Sequence, residues 1–151
     1  MGMICFSFND LKICIRSNAG KIISVEFSCP DLFGLGKDPL LVEAKKQMIQ
    51  YLSGDRKVFD LPYDINDGSF RGKVYEVVSR IPYGGRMTYG EVASKLGDVN
   101  KARAVGNALN KNDLPIIIPC HRVIAANNKL GGFEAGIEIK KKLLKIEEKN
   151  S

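Results

Sequence analysis

Thr88-Tyr89-Gly90-Glu91, continuing through Val92, Ala93 and Leu96 to Gly97, then Lys101 to Asn110 with Ala102, Val105, Ala108 and Leu109, is the stretch that decides the fold. Threonine followed three positions later by glutamate is a capping box. The Thr88 hydroxyl can accept from the backbone N–H of Glu91, and the Glu91 carboxylate can reach back to the backbone N–H of Thr88. Apolar residues at helical spacing follow in both segments, with Gly97-Asp98-Val99 between them. Two short helices about such a turn read as a helix-turn-helix, a motif that offers its second helix to DNA.

Working outward, Ser69 can cap a helix that places Phe70, Val74, Val77, Val78 and Ile81 at helical spacing, and Pro82 with Gly84-Gly85 ends it. Downstream, Pro115 leads through the strand-like apolar run Ile116-Ile117-Ile118 into Pro119-Cys120-His121-Arg122-Val123. A glycine-containing loop, 127–136, precedes a final helix over 137–148. The first half reads differently. Met3 to Phe8, Leu11 to Arg16 and Lys21 to Phe27 are β-rich and partly alternating, separated by Asn9-Asp10 and Asn18-Ala19-Gly20, which predicts a β-meander. Pro39 to Leu52 carries Leu41, Ala44, Met48 and Leu52 on one helical face, with Gly54 as a stop. Residues 55–68, with Pro62 and Asn66-Asp67-Gly68, read as a linker. The fold class is therefore α+β: a small N-terminal domain, 1–67, of β-meander plus helix, and a mostly helical C-terminal domain, 68–151, with a winged helix-turn-helix-like motif.

Composition narrows the function. The 151 residues carry a net charge of +6, and it is unevenly placed. Residues 1–67 hold 8 Lys+Arg against 9 Asp+Glu, and residues 68–151 hold 15 against 8. An excess confined to the helix-turn-helix half points to a polyanionic partner. Part of it, Lys140-Lys141-Lys142, fits an ordinary solvated helix face. No apolar stretch approaches the roughly 20 residues of a membrane span, and no basic segment leads into an apolar one at the N-terminus, so no signal peptide is expected. Cys5, Cys14, Cys29 and Cys120 form no Cys-x-x-Cys element; the first three are expected to be reduced and buried as small hydrophobes. With a single histidine the usual Cys/His zinc patterns cannot be assembled.

That histidine, His121, adjoins Cys120 between two prolines. A thiol with a free pKa of roughly 8.5 needs a proton acceptor to become a nucleophile, and His121 is the one imidazole in the chain. An acid is then useful to orient the ring and stabilise its cation; periodicity alone does not choose it.

Pro119-Cys120-His121-Arg122-Val123 after an Ile-rich run resembles the active-site signature of the O6-alkylguanine-DNA alkyltransferases, and Arg103-Ala104-Val105-Gly106 resembles that family's Arg-Ala-Val-Gly. The likeness covers about residues 69–148. It implies a suicide DNA-repair protein in which Cys120 takes an alkyl group from the O6 atom of a guanine flipped out of duplex DNA. The resemblance assigns the acid to Glu147, the stack-filling side chain to Arg103 beside the small Ala102, and contacts with the target phosphate and flipped base to Thr88 and Tyr89. It gives Asn112 a supporting role, makes Leu109, Pro115 and Phe133 the walls of the guanine pocket, and has Val123 meet the base through its backbone. Many relatives have Ser-Gly after the pocket aromatic where this chain has Glu134-Ala135; the backbone N–H of Glu134 can still serve. The zinc of some relatives lacks its histidines here. No metal or organic cofactor is implied. The expected partner is double-stranded DNA carrying alkylated guanine, met by a monomer in the cytoplasm or on the nucleoid. The rivals are an alkyltransferase-like protein that binds lesions without chemistry, a cysteine hydrolase, and a helix-turn-helix regulator; Cys120 argues against the first and has no use in the last.

Overall fold

A computed structural model describes residues 2–28, 38–65, 67–126 and 136–151. Two compact units make up the chain, Met1–Asp64 and Ile65–Ser151, so the division falls a few residues before the 67/68 boundary expected from sequence.

In the first unit, strands β1 (Gly2–Phe8), β2 (Leu11–Asn18) and β3 (Lys21–Glu26) form an antiparallel sheet with β2 in the middle. Ala19 and Gly20 both take positive φ (51° and 77°), the backbone that a two-residue hairpin turn needs to match strand twist. Helix α1 (Pro39–Leu52) starts where Asp38 accepts from the Leu40 N–H, with Pro39 in the first turn, where its missing N–H costs nothing. It buries Leu41, Ala44, Met48, Tyr51 and Leu52 against the sheet residues Ile4, Ile13, Ile15 and Val25.

One expectation fails here. Cys5 and Cys14 are buried, but they are joined to each other as a disulfide rather than packed as free thiols. The two-residue turn at Asn9-Asp10 sets a register that puts Cys5 directly opposite Cys14, with Cα atoms 4.1 Å apart. Cys29 lies outside the described residues.

In the second unit, α2 (Phe70–Ser79) is capped by the Ser69 hydroxyl, which accepts from the Gly72 N–H, and buries Val74 and Val78. A two-residue strand, β4 (Met87–Thr88), leads into α3 (Tyr89–Lys95) through the expected Thr88/Glu91 capping box, both halves of which are formed. Gly97, at φ 95°, stops this helix in a backbone region that favours glycine. A 3-10 turn over Val99–Lys101 feeds α4 (Ala102–Asn110), which buries Val105, Ala108 and Leu109 and leaves Lys101, Arg103, Asn107 and Asn110 exposed.

The Ile116-Ile117-Ile118 run is not a strand. It curls: Ile118 N–H donates to Leu114 O (2.8 Å), Cys120 N–H donates to Ile118 O (2.7 Å), and Ile116 sits at φ 75°, unusual for a β-branched residue. Prolines at 115 and 119 cannot donate to a ladder, and Asn112 ties the curl from inside, donating to Ile118 O and accepting from Leu114 N–H. The pentapeptide follows as a 3-10 turn, Cys120–Arg122, and a short strand, β5 (Val123–Ile124), which pairs in parallel with β4. That pairing, Met87 with Val123 and Thr88 with Ile124, ties the start of the helix-turn-helix to the end of the Cys-His turn. Helix α5 (Ile137–Asn150) closes the unit and buries Lys140, Leu143, Leu144 and Glu147. Lys140 therefore departs from the solvated-face reading, whereas Lys141 and Lys142 are exposed as expected.

Candidate active site

Cys120 is a buried thiol, outside any disulfide, at the first position of the 3-10 turn. The imidazole of His121 is fully buried, and its Nε2 lies 2.5 Å from Oε2 of Glu147. Glu147 comes from the opposite element, α5, and is held on several sides. Arg122 donates to it through Nε (2.9 Å to Oε1) and a terminal nitrogen (3.0 Å to Oε2), a bidentate fork. The Gly84 N–H donates to Oε1 at 3.1 Å. The other Arg122 nitrogen donates to Ile81 O at 2.6 Å, and the guanidinium lies 5.7 Å from the centre of the Tyr83 ring. Gly84 has φ 79°, and a Cβ there would come within 2.9 Å of Ser151, so a glycine lets the chain bring its N–H to this carboxylate.

These contacts set the proton positions. A carboxylate gripped by a guanidinium stays ionised, so Nε2 of His121 carries the hydrogen and donates it to Glu147. The neutral ring then keeps its basic lone pair on Nδ1. Burial holds the His121 pKa below its ordinary 6.5; hydrogen bonding and attraction to Glu147 oppose that shift, and the nearby charges of Arg122 and Lys140 add to it. The imidazole is thus neutral near pH 7 and able to accept a proton.

Lys140 is the unanticipated member. Its side chain is fully buried, and Nζ donates to Val123 O at 2.7 Å and lies 5.8 Å from the centre of the Tyr89 ring. Burial lowers its pKa to about 8, and negative charge on Cys120 opposes the shift. The Tyr89 phenol is pushed above its usual 10 by burial first and by Cys120 second. Cys120, Tyr89 and Lys140 therefore share one electrostatic environment, and His121 also feels Lys140.

The remaining expected residues divide into groups. Tyr89, Ala102 and Arg103 line a cavity of about 350 Å³ on the exposed side of α3 and α4, together with Gly106, Asn107 and Asn110. Thr88 is the α3 cap, and Asn112 is the internal tie of the curl before Cys120. Leu109, Pro115 and Val123 are buried. Phe133 and Glu134 lie outside the described residues. Sequence reasoning missed Lys140 and left Arg122 without a role. The spacing held a signal for Lys140: Lys140, Leu143, Leu144 and Glu147 fall at i, i+3, i+4 and i+7, the stripe one helix face buries.

Residues 69–149 match the family model described as "6-O-methylguanine DNA methyltransferase, DNA binding domain". The chain belongs to this family. It is 46% identical over 110 residues to the constitutive methylated-DNA–protein-cysteine methyltransferase of Bacillus subtilis, covering 72% of this chain and 67% of the relative. Against a methylated-DNA–protein-cysteine methyltransferase of Metallosphaera sedula it is 38% identical over 136 residues, 89% of this chain and 85% of the relative. The solved structure of the Mycobacterium tuberculosis methyltransferase OGT in complex with DNA superposes with a TM-score of 0.86 at 29% identity, covering 99% of this chain and 94% of that one. The α+β arrangement of an N-terminal sheet and a helical helix-turn-helix unit is the methyltransferase fold.

Proposed function

We propose that this methyltransferase-family chain repairs DNA by direct reversal, moving an alkyl group, typically methyl, from the O6 atom of guanine to Cys120 and acting once. The observation that carries the reading is the buried His121–Glu147 pair directly after the buried Cys120, in a protein whose family match spans all three residues. A flipped base costs a few kcal/mol to extrude, and Arg103, exposed beside the small Ala102, fills the space it leaves. Thr88 sits at the target phosphate. The base stacks into a pocket walled by Leu109 and Pro115, meeting the backbone of Val123, while Asn112 keeps the Cys120 turn in shape.

The Cys120 proton passes to Nδ1 of His121 through a water molecule, and Glu147 stabilises the imidazolium. The sulfur lone pair then attacks the alkyl carbon. The C–S bond forms as the C–O bond breaks, and the bonding electrons move onto the purine. That anion takes a proton from the Tyr89 hydroxyl. Burial keeps the phenol protonated, so its hydrogen is in place when the purine leaves. The Lys140 ammonium lies 5.8 Å from the centre of the Tyr89 ring and interacts electrostatically with Cys120, so it stabilises negative charge first on sulfur and then on the leaving group. The product is a thioether, which no residue of the site can hydrolyse.

Among the described residues no helix is long and apolar enough to cross a membrane. We place the protein, as a monomer, in the cytoplasm or on the nucleoid, where its substrate lies. The test is stoichiometry. With duplex carrying O6-methylguanine in large excess, repair should stop at one methyl per chain. A cysteine hydrolase would continue past that point, and a lesion-binding protein without chemistry would bind the duplex and transfer nothing.

A further inference from the structure

The exposed face of α4 carries more than Arg103. Asn107 and Asn110 follow it at i+4 and i+7, so all three side chains form one stripe along the helix, and all three line the 350 Å³ cavity with Tyr89. Neither amide makes a side-chain hydrogen bond among the described residues. Asn112, two positions further on, differs: it is buried and uses both ends of its amide on the backbone. Asparagine is also a poor helix former, and Asn107 stands in the helix interior, where alanine would favour the helix. These two residues hold unspent hydrogen-bonding groups on the surface that faces DNA, at some cost to the helix that carries them.

An uncharged carboxamide can donate to a phosphate but does not neutralise it, as Arg and Lys do, so its acceptor is unused there. It carries a donor and an acceptor side by side, the combination that base edges require. At about 1.5 Å of rise per helical residue, Asn107 stands roughly 6 Å and Asn110 roughly 10 Å beyond Arg103 along α4. Base steps are spaced about 3.4 Å apart. With Arg103 at the vacated position, those distances correspond to about two and three base steps on one side of the lesion. We propose that Asn107 and Asn110 contact base edges there and make the rate of repair depend on the sequence flanking the lesion on that side. Gly106 keeps the approach open: a Cβ at that position would already touch the Tyr89 ring at 3.7 Å, so a larger side chain would narrow the cavity between Tyr89 and the stripe.

This inference rests on the DNA-repair reading, and its test separates the two. Duplexes carry one O6-methylguanine, with the base pairs at the three positions on either side varied one at a time, and single-turnover rates are measured for the unaltered protein, Asn107→Ala and Asn110→Ala. Free O6-methylguanine is run as a substrate needing no flanking contacts. Rates should spread by about fivefold or more across the variants on one side and stay level on the other. Asn107→Ala should level the nearer position and Asn110→Ala the farther one, with the free-base rate unchanged in both. Level rates on both sides for the unaltered protein, or a spread that survives in both variants, would overturn the proposal while leaving DNA repair intact. No repair of any duplex would overturn the repair reading itself.

Discussion

Nε2 of His121 and Oε2 of Glu147 lie 2.5 Å apart across 26 residues of sequence, with neither side chain exposed. The pair joins the Cys-His turn to the far end of α5. Because Arg122 and the Gly84 N–H also grip Glu147, the carboxylate is fixed before the imidazole meets it, and the ring is left with one available base nitrogen.

Replacing His121 with alanine should slow methyl transfer by about 10²-fold or more, the usual scale of general acid-base help, with DNA affinity nearly unchanged. The pH profile carries a sign. His121 must be neutral to accept the thiol proton, and burial depresses its pKa, so activity should persist as pH falls through 6.5 and decline only below it. A decline centred above pH 6.5 would mean that another group serves as base.

Lys140 should set the alkaline limit. It is cationic below about pH 8 and loses its charge above it, so transfer should fall as pH rises through that region. Lys140→Met should slow transfer about tenfold or more at neutral pH, the effect of one unit of thiol pKa, and should abolish the alkaline decline. Lys140→Arg keeps the charge and should move the decline out of range. Rates for the three proteins from pH 5 to 10 decide the matter.

Arg122 should matter for stability before activity. Its fork on Glu147 is buried at both ends, with side chains 8% and 1% exposed. Removing one partner of such a pair leaves an uncompensated charge and costs about 3–5 kcal/mol. Arg122→Ala should therefore lower the urea midpoint of unfolding well beyond the effect of removing an exposed partner, as in Arg80→Ala, whose ion pair with Glu76 is solvent-exposed.

Arg103 and Lys101 should separate by assay. Lys101→Ala should weaken binding to every duplex and shallow its salt dependence. Arg103→Ala should sharply reduce repair of a duplex lesion and spare the free alkylated base, which needs no flipping. Equal loss on both substrates would make Arg103 a support of the fold or the pocket instead.

Local chemistry was legible in the sequence where one element states its own rule. The Thr88/Glu91 capping box, the Ser69 cap, the Gly97 stop and the Pro39–Leu52 helix all form where spacing and capping residues place them. What escaped depends on pairing between elements. Cys5 and Cys14 are nine residues apart, and only the register of the Asn9-Asp10 hairpin shows that they face each other. The isoleucines at 116–118 have strand-like propensity, but the flanking prolines and the Asn112 tie override it. Lys140 reads as solvent-facing in a run of three lysines; its burial depends on Val123 offering a carbonyl from another element. Glu147 is assigned by family resemblance: its place on the stripe of Leu143 and Leu144 separates it from Glu148, which is exposed, but that stripe does not say which side chain it meets.

The most direct measurement is the mass of the protein after incubation with duplex DNA containing O6-methylguanine, followed by peptide mapping. One added methyl should appear, on the peptide carrying Cys120, with none on Cys5, Cys14 or Cys29, and Cys120→Ser should acquire none. Methylation at any other cysteine, or transfer surviving in Cys120→Ser, would contradict the account.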